Sequence, residues 1–111
     1  MEYMLFIATD QNPDAGKEAP EDIEKWIEEV ERRKVHKHGD RLRPPADATT
    51  VRVRNGELLV TDGPFAESKE WIAGYDVLEC ENLDEAIDIA SRHPMARFGR
   101  IEVRPMWPFE G

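Results

Sequence analysis

The sequence predicts an α+β fold in which two helices cover one face of a mainly antiparallel sheet, the split β-α-β, ferredoxin-like plan with an added β-hairpin. Three observations carry this reading. Residues 3–7 form an uninterrupted apolar run, the length expected of a strand covered on both faces. Two later stretches repeat apolar residues three and four positions apart, the period of an amphipathic helix. Between them an Asn-Gly pair separates two short apolar segments, the strongest short-range hairpin signal.

In chain order, residues 1–9 read as a strand central in its sheet, and 10–19, rich in Asp, Asn, Pro and Gly, as a loop. A helix is predicted over 20–36. Pro20 suits the first turn, Glu21 and Asp22 complement the positive end, and Ile23, Trp26, Ile27 and Val30 form the stripe that faces the sheet. Residues 36–48, with Gly39 and Pro44-Pro45, are expected to cross the molecule as an irregular or extended connection. The hairpin follows, with its turn at Asn55-Gly56, and then Thr61 to Phe65 as a turn. A strand is predicted over 72–81. Next comes a helix capped by Asn82 and Glu85 with Leu83, Ala86, Ile87 and Ala90 inward, stopped by Pro94. Residues 100–107 close the sheet as a half-buried strand until Pro105.

At 111 residues the chain, 1–111, is one domain with a core that needs neither disulfide nor metal. Against 15 Lys and Arg stand 24 Asp and Glu, and a formal charge of -9 repels phosphate backbones and anionic lipid, so neither nucleic acid nor membrane is an expected partner. The longest apolar run falls far below the ~20 residues of a membrane helix. No export segment is apparent, and one cysteine, Cys80, fits a reducing cytoplasm.

The chain carries Leu-Arg-Pro-Pro at 42–45, Thr-Thr-Val-Arg-Val-Arg-Asn-Gly at 49–56, and Val-Thr-Asp-Gly-Pro-Phe-Ala-Glu-Ser-Lys-Glu at 60–70. With Gly74-Tyr75, Leu-Asp-Glu-Ala at 83–86 and Glu-Val-Arg-Pro at 102–105, it resembles the YCII-related proteins, specifically the subgroup named for its Asp-Gly-Pro-Phe (DGPF) motif. The resemblance implies a ferredoxin-like fold paired into a dimeric α/β barrel. It implies an enzyme only through a His and Asp near a cleft, and a regulatory role only through association with sigma factors. The family histidine lies in the first helix, whereas the first histidine here is His36.

Asp62 is the candidate acid or base, with His38 as imidazole partner. The commoner role of Asp before Gly-Pro is to cap its own turn. Gly63, Pro64 and Phe65 of the same loop, with Arg52, are candidate ligand contacts, Phe65 serving as pocket wall or as core anchor. Arg52, Arg54, Arg97, Arg100 and Arg104 can bind an anion or pair with Glu57, Glu79 and Glu102 across strands. His36 and His38 are expected on solvated surface at a helix end. Their spacing resembles a metal pair, but His93 and Cys80 are not placed to complete it, so no metal and no cofactor is expected. His93 is read as a helix-terminal residue satisfying carbonyls, and Cys80, between Glu79 and Glu81, as a thiol held protonated.

Two readings of function remain. The first is a small dimeric module that binds a small molecule or acts in regulation. The second is an enzyme with its cleft at the Asp-Gly-Pro-Phe loop. The homodimer has its own physical motive: two helices cover one sheet face, and about half of the apolar first strand must point to the other.

Overall fold

A computed structural model describes residues 1–65 and 69–109. Ala66, Glu67 and Ser68 of the extended motif lie outside the described residues.

The first strand, β1 (Glu2–Thr9), alternates buried and half-buried residues. Tyr3, Leu5 and Ile7 point into the core while Met4, Phe6 and Ala8 point away, as the two-residue period requires. Helix α1 (Pro20–Arg32) starts with Pro20, and the Ala19 N–H donates to the Asp22 carboxylate at 3.0 Å. It ends four residues earlier than the basic run suggested. Lys34 takes a positive φ of 58°, and the Val35 N–H turns back to Val30 O at 3.2 Å.

Residues 36–41, expected as part of an irregular or extended connection, are extended and pair with the sheet as a strand, β2 (His36–Arg41). The hairpin is β3 (Thr49–Arg54) and β4 (Glu57–Asp62), joined through Asn55 at φ 53° and Gly56 at φ 77°, the two positive values of a type I′ turn. Then come β5 (Ile72–Glu79), α2 (Leu83–Ser91), a single turn α3 (Met95–Phe98) beyond Pro94, and β6 (Gly99–Pro105). Asn82 caps α2 by accepting from the Glu85 N–H at 2.9 Å, and the Glu85 carboxylate accepts from Glu81 N–H at 3.0 Å.

The main sheet has the order β2-β5-β1-β6, every neighbour antiparallel, with β1 central as expected. Counting only those four strands, this is the split β-α-β order of the ferredoxin-like fold. The hairpin forms a separate two-stranded sheet, which explains a radius of gyration of 16.3 Å where a compact chain of this length has about 13 Å.

Trp26 and Val30 of α1 are buried against the sheet, as predicted, with Leu5, Leu78 and Ile89 among the most enclosed side chains. The α2 stripe is rotated from expectation. Ala86, Ile89 and Ala90 are buried, whereas Leu83 and Ile87 are about half exposed. Arg33 ties the helices together through Glu85 and Asp88. None of the described helices is long and apolar enough to cross a membrane.

Candidate functional site

The chemistry collects on the helix-facing side of the sheet, at its β2 edge. Along β5 the period of two puts Gly74, Asp76 and Leu78 on that side, opposite Ile7, Leu5 and Tyr3 of β1. An acidic residue in this register is carried inward, and Asp76 is largely buried. Its partner comes from β2. His36 Nε2 lies 2.8 Å from Asp76 Oδ1.

A bulge makes that pairing possible. His36 stands opposite Leu78 and His38 opposite Val77, with Lys37 as the extra residue between them. In a regular strand a His-x-His pair shares one face, but the inserted residue sends His36 inward and His38 outward. The apparent metal spacing is therefore divided between two faces. Among the described residues no three His, Cys, Asp or Glu side chains converge on a metal position.

Gly39 serves the same arrangement. A β-carbon there would collide with the Asp76 carboxylate and lie 2.8 Å from Tyr75 O, so only glycine lets the carboxylate lie across β2 toward His36. Burial pushes the Asp76 carboxyl above its ordinary range, and the His36 hydrogen bond pulls it partly back. With Asp76 ionised, Nε2–H donates to it and the lone pair of Nδ1 is left for another proton.

Above the pair lies a cleft of about 620 Å³ between α1 and the sheet edge. Trp26 is its centrepiece. The indole N–H is pinned by Ile89 O at 2.9 Å, and the ring meets His36 edge-on at 6.2 Å and His93 at 4.6 Å. Ile7, Ile23, Ile27 and Met95 supply apolar wall. A second groove of about 370 Å³ opens behind Trp26 and His93, toward Lys25, Arg92 and Arg97.

The residues singled out from sequence lie elsewhere. His38 is on the open face of the sheet, its Nδ1 2.7 Å from the Tyr75 hydroxyl. Asp62 ends β4 in the separate ribbon, is exposed, and among the described residues receives no hydrogen bond from an imidazole or from its own turn. Gly63 anchors the base of the ribbon, its N–H donating to Ala48 O at 2.7 Å and its carbonyl accepting from the Thr50 hydroxyl. Pro64 is exposed, and Phe65, at 92% exposure, is no core anchor. Arg52 is exposed opposite Leu59. None of these residues lines the cleft.

Other expectations are also corrected. His36 is half-buried and paired rather than solvated. Among the described residues the His93 ring satisfies no carbonyl; its Nδ1 accepts from the Met95 N–H at 3.0 Å. The arginines find acids along or between loops, Arg97 with Asp14 and Arg100 with Asp10 and Glu70, while Arg104 bonds Glu102 of its own strand. Cys80 is protonated, as expected, pushed up to about 11 first by burial and then by Glu85 rather than by its sequence neighbours.

The fold and these residues can be compared with known proteins. Residues 1–110 match the model of the YCII-related domain. The chain belongs to that family. An uncharacterized protein of Rhizobium meliloti (strain 1021) is 46% identical over 68 residues, which cover 60% of this chain and 55% of that protein. The chain thus spans about half the length of the curated relative it matches. In this YCII-related domain the His–Asp pair of the cleft is formed by β2 and β5, and the first helix carries no histidine. The signal available in the sequence was Asp76 itself, an acid in step with Gly74, Leu78 and Cys80 on the inward side of a strand.

Proposed function

We propose that the chain is a small-molecule acid–base protein whose site is the cleft between α1 and the sheet, with His36 as general base and Asp76 as the group that orients it. The observation that carries this reading is the 2.8 Å His36–Asp76 hydrogen bond on the cleft wall. A carboxylate fixing one imidazole nitrogen leaves the lone pair of the other oriented to accept a proton. Apolar wall on one side and a polar pair on the other is the usual make-up of a small-molecule pocket.

The test is deuterium uptake by small carbon acids. Acetophenone, cyclohexanone and γ-butyrolactone are incubated with the protein in D2O, and loss of the α-proton signal is followed by NMR. Exchange above the solvent rate is expected for at least one, falling about a hundredfold in His36→Gln. Equal exchange in wild type and His36→Gln would remove His36 from the mechanism.

Within the family, the Asp-Gly-Pro-Phe at 62–65 supports placement in the DGPF subgroup. A homodimer is proposed as well. The open sheet face carries Met4, Phe6, Tyr75 and Val77, all half-buried, and a second copy packed there would cover them. The buried, unpaired Cys80 favours a reducing compartment such as the cytoplasm.

A further inference from the structure

His93 is the one buried histidine, and the base reading leaves it unused. It sits at the end of α2, edge-on to Trp26 at 4.6 Å, and lines the same cleft as His36. Its tautomer is set by geometry. The Met95 N–H donates to Nδ1 at 3.0 Å, so Nδ1 must present a lone pair and the ring proton resides on Nε2. Among the described residues Nε2–H has no acceptor, yet no buried side-chain nitrogen or oxygen is left unpaired. That nitrogen is therefore not fully enclosed, and His93 lines both the cleft and the rear groove, between which the charge of the walls decides for each ligand.

We propose that His93 is a second ligand-contacting group of this cleft, an imidazole fixed as its Nε2–H tautomer that donates to the carbonyl oxygen of an uncharged small molecule. The proposal rests on the cleft being the ligand site and is independent of whether His36 abstracts a proton. Burial supports it by driving the imidazole down to about 4, so the donor stays neutral over the physiological range. A neutral donor suits a carbonyl whose charge grows during reaction. The charge of the walls selects against anions, since Glu18, Glu31, Asp40 and Asp76 stand against Arg41. The groove behind Trp26 has the opposite balance, with Lys25, Arg92 and Arg97 against Asp22 and Glu29, and is where an anion would go.

The test is a 1H–15N NMR titration of the histidine rings in the whole chain with acetophenone, cyclohexanone and benzamide, and with benzoate as the anion of similar shape. Saturable movement of His93 Nε2–H is expected for an uncharged carbonyl, with ligand contacts to Ile27 and Met95. His93→Phe, which keeps the ring and loses the donor, should bind roughly tenfold more weakly. A His93 ring untouched by all three carbonyls overturns the proposal, as does ligand contact to Phe98 of the rear groove instead of Met95. Benzoate bound in the cleft as tightly as benzamide overturns the choice of an uncharged ligand. The titration is repeated in His36→Gln. A His93 shift that persists there while exchange is lost supports both assignments, and a persistent shift with exchange unchanged supports the donor while removing the base.

Discussion

The four-stranded sheet with its helices and the two-stranded ribbon of β3 and β4 are held by different physics. In the first, β1, β5 and β6 carry buried residues, β2 is at most half-buried along its inward side, and Leu5, Leu78, Ile89 and Val30 are almost wholly enclosed. In the second, Val51 pairs with Val60 and Val53 with Leu58 on one face, yet each of the four is 58–64% exposed. Burial specifies the sheet, whereas turn chemistry and cross-strand pairing specify the ribbon. All the chemistry found so far is on the buried side, where a low dielectric and fixed neighbours can shift a titratable group.

The largest expected effect follows directly. Leu78→Ala deletes a fully enclosed side chain at the sheet centre and should cost about 2–5 kcal/mol in chemical denaturation, while Leu58→Ala in the ribbon should stay within ~0.5 kcal/mol for the monomer. Comparable losses at the two positions would show that the ribbon is packed and erase the contrast.

A second effect separates the regions by pH. His93 binds its proton near the ordinary 6.5 when unfolded and near 4 when folded. Between those values the unfolded chain holds more protons, so stability is full above about pH 6.5 and is lost as pH falls toward 4. The loss is roughly 3 kcal/mol for this residue alone. Asp76 acts in the opposite sense, because its raised carboxyl favours the folded state as it becomes protonated, and trims the net loss. The ion-paired carboxylates of Asp10, Asp14 and Asp88, held below their ordinary values, enter only at lower pH. His93→Phe should flatten the profile between pH 4 and 6.5, and an unchanged slope would mean that His93 is not the source.

The same contrast explains what could be read from the sequence. β1, α1 and the Asn82 cap announce themselves through apolar period and end chemistry, and Asn55-Gly56 announces the ribbon. β2 does not. His-Lys-His-Gly-Asp-Arg contains no apolar residue, and it is a strand because the exposed edge of β5 offers it backbone partners. Missing that strand meant missing the site. The bulge at Lys37 and the approach over Gly39, which join His36 to Asp76, are long-range pairings with no local signature. Asp62 is conspicuous in sequence as a motif residue, but its ribbon carries it away from the cleft.

The smallest effect on folding bears on assembly. A two-stranded ribbon with a bare aliphatic face is marginal in water, and the open sheet face is apolar at its centre with Arg100, Glu102 and Arg104 on the flanking strand. If a second copy covers both, the wild type should sediment at twice the chain mass at micromolar concentration and moderate salt, where repulsion between chains of charge -9 is screened. Amide exchange across residues 49–62 should then slow as concentration rises, because association adds protection that the isolated ribbon lacks. Leu58→Ser with Val60→Ser should leave monomer stability nearly unchanged, since neither side chain is buried within the chain, yet shift the sedimenting species toward a single chain. A doubly substituted protein that associates as tightly as wild type would confine the contact to the four-stranded sheet, and a wild type that sediments as one chain at every concentration would leave the ribbon's aliphatic face to solvent.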